Sequence, residues 1–276
     1  MAEGYYYLIT ALPDLSLADK DPGFTVPGFR NAIIEQLNPE DTELMRILYY
    51  RFDIENFVTL IKKRNHPWRT EGNFGKDEMQ EMRSLPDTLP DFLCAFTQET
   101  SKEWGHMSSK ALLNVATTYF IDWSRSVSNS FLRKWLYFDH NLKNLLIWLN
   151  SRKFHLNHVD EVLGSHFEAE YLRATKSGEL DLKSWDFQFR EALRHYDNPD
   201  IAVRELIINE MRWHYLDELV QPYPFGIEQL LAFAIRLQLI NRKLTATEEL
   251  GSQRLTDLVA SIRKEYQIPE SIWRHE

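Results

Sequence analysis

One cysteine, Cys94, occurs in the 276 residues, which excludes an intrachain disulfide framework and suits a reducing compartment. Set among Phe92, Leu93, Ala95 and Phe96, that thiol reads as core rather than as a nucleophile. Glycine is scarce at 10 residues and valine at 9, against 36 leucines. Strands have little to be built from, and the balance favours side chains that lose little rotamer freedom in a helix. Positive charge is also short, with 32 basic against 41 acidic residues and a net charge of −9. That is the wrong sign for a chain whose affinity comes from neutralising phosphates, so no nucleic-acid partner is expected.

No apolar run approaches the roughly 18 uncharged residues of a membrane span, so no integral membrane segment is expected and any membrane association is peripheral. The start, Met1-Ala2-Glu3-Gly4, is acidic where a secretion signal is basic, and the apolar run from Tyr5 to Leu12 stops at Pro13-Asp14. A soluble cytoplasmic protein is expected.

Catalytic motifs are missing too. Gly72-Asn73-Phe74-Gly75-Lys76 has the wrong spacing for a phosphate loop, and Asp77 stands where Ser or Thr holds Mg²⁺; it reads as a turn. No G-x-G-x-x-G, H-E-x-x-H, G-x-S-x-G or His-Asp dipeptide occurs. His155, His158, Asp160 and Glu161 could gather on one helical turn, but first-row metals take ligands converging from several elements. The expectation is no catalytic residue, no metal and no cofactor: not an enzyme.

What is there is helix. Asn38-Pro39-Glu40-Asp41 supplies a capping side chain, proline at the first helical position and acids in the first turn, and Asn198-Pro199-Asp200 repeats the arrangement. Apolar residues recur at three and four between such signals, as in Leu44, Ile47, Leu48 and Phe52. The spacing predicts an all-α chain with helices near 27–37, 39–64, 77–84, 89–100, 107–126, 129–153, 156–175, 181–196, 199–220, 225–243 and 251–266. Most of the 8 Trp, 12 Tyr and 16 Phe fall on apolar faces, Trp123, Trp135, Trp148 and Phe187 among them, and read as core. Glu205, Glu210, Asp217 and Glu218 read as a solvated face, or as a docking surface for a basic partner.

Sliding the chain on itself by 88 residues lays Leu44–Arg64 over Leu132–Arg152, with identities at Leu44/Leu132, Leu48/Leu136, Tyr49/Tyr137, Asn56/Asn144 and Arg64/Arg152. Asp53-Ile54-Glu55-Asn56 overlies Asn141-Leu142-Lys143-Asn144, and both segments close on basic residues. A third segment, Phe225–Leu244, lacks the asparagine but ends in Arg242-Lys243. Three degenerate modules follow, at about 1–88, 89–178 and 179–276 of one helical protein. The plainer reading is that amphipathic helices share periodicity and that basic residues complement helix C-termini.

These helices resemble the recurring helix of the funnel-shaped C subunit of bacterial and archaeal V/A-type ATPases, the counterpart of the eukaryotic d subunit. In that family an acidic residue, a following asparagine, an apolar run and a closing basic residue recur in successive modules. Pro224-Phe225-Gly226-Ile227 to Lys243 is similar to its last module. The opening Gly4-Tyr5-Tyr6-Tyr7-Leu8-Ile9-Thr10-Ala11-Leu12-Pro13-Asp14-Leu15 resembles more closely an uncharacterised bacterial family encoded among V-type ATPase genes. The resemblance implies a funnel of three pseudo-symmetric modules, seated on the membrane rotor (proteolipid) ring at the cytoplasmic face of the inner membrane and receiving the central shaft subunits. Such a protein couples rotation to ion transport or ATP synthesis and catalyses nothing.

By that resemblance Asp53, Asn56, Asn141, Asn144, Arg64, Arg152 and Lys243 occupy the motif positions. On chemistry alone the four buried-type polar residues read as helix-to-helix hydrogen bonding. The chain departs from the family in its shorter length, in the missing third asparagine and in the lack of glycine after Arg64 and Lys153. The alternative function is a free-standing helical scaffold for protein partners.

Overall fold

The computed structural model describes residues 5–63, 67–155, 157–175, 180, 189–190, 194, 196 and 200–245, without the side chains of 201 and 202. Arg64, Phe187, the Asn198-Pro199 signal, the helix expected at 251–266 and most of that at 181–196 lie outside the described residues. Among the described residues the chain is all-helical, with no strand.

The helices are α1 (Tyr6–Ala11), α2 (Val26–Ile34), α3 (Pro39–Ile47), α4 (Tyr50–Lys62), α5 (Lys76–Ser84), α6 (Asp91–Thr100), α7 (Ser109–Ser124), α8 (Ser130–Phe154), α9 (Phe167–Ala174), α10 (Ile201–Val220) and α11 (Ile227–Thr245). The start of α3 carries the expected chemistry: Asn38 Oδ1 accepts from the Asp41 N–H at 2.9 Å ahead of Pro39. Asn129 caps α8 in the same way, its Oδ1 accepting from the Leu132 N–H at 2.9 Å. Lys63 (φ 49°) and His155 (φ 54°) end α4 and α8 in the left-handed region without being glycine.

Two expected helices are corrected. The run at 39–64 is broken at Leu48-Tyr49, where the N–H groups reach back only three residues, to Met45 and Arg46. The cause is side-chain competition: Asn73 Nδ2 donates to the Arg46 carbonyl at 3.0 Å, and Tyr49 is fully buried beneath the Arg30 guanidinium, 5.6 Å from its ring centre. The run at 156–175 is helical only from Phe167. Before it, residues 157–166 cross α7 and α8 as a loop, held by side chains described below.

Packing runs in a circuit. α4 packs on α7, α7 on α8, α8 on α10 and α11, α10 on α11, and α11 back on α2 and α3, which lead into α4. Tyr50, Phe92, Phe120 and Trp123 form one aromatic cluster of the core, with Tyr50–Phe92 and Phe92–Phe120 ring centres each 5.2 Å apart. Trp135 and Trp148 are buried and Trp123 partly so, while Cys94 packs partly exposed at the core's edge. Tyr5 ties the first turn across the fold: its N–H donates to Phe225 O and its hydroxyl to Asp41.

Candidate functional site

Four of the motif residues are among the most buried polar groups in the chain, with Asp53 at 0 % exposure and Asn56, Asn141 and Asn144 at 1 % each. They do not bond helix to helix. Each holds a loop. The Asn56 amide takes both backbone groups of Arg69, donating to its carbonyl at 2.9 Å and accepting from its N–H at 2.8 Å. Asn144 does the same to Leu163, at 2.7 and 2.9 Å. One turn earlier, Asp53 accepts from the N–H groups of Asn73 (2.7 Å) and Phe74 (3.3 Å) and from Asn73 Nδ2 (2.6 Å). Its counterpart Asn141 pairs its Oδ1 with His166 Nε2 at 2.9 Å. An arginine completes each loop: Arg30 donates to the Glu71 and Gly72 carbonyls, Arg173 to those of Val162 and Gly164.

Burial pushes the Asp53 carboxyl up to about 7, against the hydrogen bonds from Asn73 and Phe74 and the nearby Arg30. Gly72 is required by this arrangement, because a Cβ there would lie 2.6 Å from Asp53 Oδ1.

Within the helix circuit lies a cavity of about 500 Å³, with a small chamber of about 70 Å³ adjoining it. The two together are lined by polar residues spaced at helical intervals: Arg51 and Glu55 on α4, Asp139 and Lys143 on α8, Glu205 and Arg212 on α10, Gln238 and Arg242 on α11, with Asp139 and Gln238 facing the small chamber. Asp139 is the hub, meeting Lys143 at 2.6 Å and Arg212 at 2.8 Å. Burial alone would raise its pKa, but the two cations hold it well below the usual carboxylate range. Arg242 donates to Asn209 at 2.6 Å and lies 3.5 Å from Glu205. His140 is neutral, since burial and then Lys143 push it down to about 3.

The family described as "Protein of unknown function (DUF2764)" matches residues 1–266. The chain belongs to that family. No curated protein and no solved structure matches it.

The remaining motif residues of this DUF2764 chain are dispersed. Arg152 lies exposed at the end of α8 with its guanidinium 4.7 Å from the Trp148 ring centre. Lys243 Nζ donates to the Leu17 carbonyl at 2.6 Å. The histidine cluster does not assemble: His155 caps α8, while His158 is buried with Nε2 3.0 Å from Leu172 O. The acidic positions Glu205, Glu210, Asp217 and Glu218 are exposed as expected. Sequence reading misses the cationic lining. Arg51, Lys143, Arg212 and Arg242 each look like ordinary helix-surface charges, and the only signal is their shared offset of four or seven from another polar residue on the same helix. No group of three or more His, Cys, Asp or Glu residues suited to a metal occurs among the described residues.

Proposed function

We propose that this chain is a non-catalytic central-stalk adaptor of a V/A-type ATPase, joining the shaft subunits to the membrane rotor ring at the cytoplasmic face. The observation that carries the reading is the matched pair of amide clamps, Asn56 on Arg69 and Asn144 on Leu163. Two residues aligned by the internal repeat perform the same task on the loop that follows their helix, which supports duplicated modules over shared periodicity. A third module is supported by the helix ends: Lys62 Nζ at the end of α4 donates to the Trp104 carbonyl, and Lys243 at the end of α11 donates to that of Leu17.

The physical demands of the role agree with the architecture. An adaptor under torque needs loops that do not slide against its helices, and buried bidentate hydrogen bonds fix loop position at high cost to any alternative. It also needs a polar recess ringed by helices, where many modest contacts carry the load. Among the described residues no helix is long and apolar enough to cross a membrane, so attachment to the ring is peripheral in this proposal.

The test is binding of the purified full chain to the shaft subunits and to detergent-solubilised rotor ring of its host, by co-purification at native stoichiometry. Capture of both is expected. Failure to bind either component overturns the proposal, and recovery of unrelated proteins without ATPase subunits favours a free-standing scaffold.

A further inference from the structure

The central cavity and its adjoining chamber are rich in positive charge. Arg51, Arg69, Lys143, Arg212 and Arg242 line them, against the carboxylates of Glu55, Asp139 and Glu205 and that of Glu71, which pairs with Arg69 at 3.0 Å, an excess of one cation. This excess runs against a chain whose net charge is −9. We propose that the cavity is a binding site for a small oxyanion of two or more negative charges, of the phosphate class.

One buried guanidinium group points to a ligand. Arg51, an exposed residue of the lining, lays its guanidinium over the Phe52 ring, 4.2 Å from the centre. Arg212 is 2 % exposed, and while its Nε donates to Asp139, its Nη1 is buried with no hydrogen-bond partner among the described residues. A buried charged donor left empty is destabilising, and an oxyanion reached by that nitrogen removes the penalty. Burial lowers the pKa of Lys143 and Arg242, and neighbouring cations lower each further, while nearby carboxylates oppose the shift. An anion relieves both effects.

The shape suits a small ligand. A cavity of about 500 Å³ falls in the range of small-molecule sites. Access is graded: the Lys143 side chain is 41 % exposed, the Asp139 side chain 16 % and the Arg212 side chain 2 %. Forked guanidinium donors match tetrahedral oxyanions in pairs, and His140, neutral on the same wall, adds no opposing charge. A metal cation is disfavoured by the same lining. This site does not depend on the adaptor reading.

The experiment titrates inorganic phosphate and pyrophosphate into the purified full chain at constant ionic strength, read by calorimetry and by thermal unfolding. Saturable binding of pyrophosphate at one site, tighter than that of phosphate, with a rise in Tm, is expected. Arg51→Gln should weaken it by about tenfold while leaving the ligand-free Tm near that of the unaltered chain, because the side chain is exposed. Lys143→Gln should weaken it comparably, and Arg46→Gln, on the exposed side of α3 beside Glu43, should not. No saturable binding up to about 10 mM, or equal affinity in the Arg51 and Lys143 variants, or equal weakening by the Arg46 variant, overturns the proposal.

Discussion

The side-chain amide of Asn56 holds both backbone groups of Arg69, a residue thirteen positions downstream. No other side chain of similar size presents a donor and an acceptor in that fixed geometry apart from a second Asn, and Asn144 repeats the contact on Leu163. The clamps turn two long connections into fixed parts of the helix layer.

Asn56→Ala and Asn144→Ala are each expected to destabilise the chain by about 2–4 kcal/mol, since each strands one buried N–H and one buried C=O. Asn56→Asp should cost a similar amount, because the carboxylate still accepts from the Arg69 N–H but faces its carbonyl without a donor. Denaturant unfolding gives the magnitude. Amide exchange at Arg69 and Leu163 gives the location: each variant should speed exchange at its own loop and leave the other unchanged.

The helices are legible in the sequence because caps and periodicity are local. Asn38 and Asn129 bond three residues ahead, and such signals are written in consecutive letters. The break at Tyr49 is not legible, because its cause is Asn73 reaching the Arg46 carbonyl from 27 residues away. The helix expected at 156–175 starts only at Phe167, because Asn144 captures Leu163 and the left-handed His155 turns the chain aside. For the site, the repeat marks Asp53, Asn56, Asn141 and Asn144 as positions that matter, though not what they bond to. The cavity is invisible in sequence, since it needs the rotations of α4, α8, α10 and α11 to bring single charges together.

Gly72 and Gly75 lie in the same loop and should respond oppositely to alanine. At Gly72 a Cβ meets Asp53 Oδ1 at 2.6 Å and Asn56 Nδ2 at 3.0 Å, and neither rigidly held group can retreat. At Gly75 nothing lies within 4 Å and the backbone is ordinary (φ −67°). Gly72→Ala should destabilise by about 1–3 kcal/mol, and Gly75→Ala should change stability by less than about 1 kcal/mol. Thermal unfolding of the two variants side by side checks the difference.

Asp53 makes stability depend on pH in a defined window. Its carboxyl titrates at about 7 in the fold against an ordinary 3.8, so the folded state binds the proton more tightly. The stabilisation is complete below about pH 4 and is lost as pH rises through about 7, on the order of a few kcal/mol. Asp53→Asn removes the titration and keeps an acceptor for the Asn73 and Phe74 N–H groups. The unfolding free energy of the unaltered chain minus that of the variant should therefore fall between about pH 4 and about pH 7.5. A difference that stays flat across this window would show that Asp53 is ionised throughout.

Asp139 and Arg212 form the buried half of the cavity wall, 2.8 Å apart, with the arginine 2 % exposed. Removing the carboxylate leaves a buried guanidinium that the neighbouring cations Lys143 and Arg242 repel. Asp139→Ala should therefore destabilise by about 3–5 kcal/mol, the usual penalty for orphaning one member of a buried pair. The pair itself is a weaker source of stability than that figure implies, because both ions gave up hydration to form it. Asp139→Leu combined with Arg212→Met replaces both with apolar groups and should recover most of the loss. If the double variant is as unstable as Asp139→Ala, the wall depends on the ion pair and not on filled volume. Chemical unfolding of the unaltered chain, Asp139→Leu, Arg212→Met and the double variant, compared as a double-mutant cycle, separates the two.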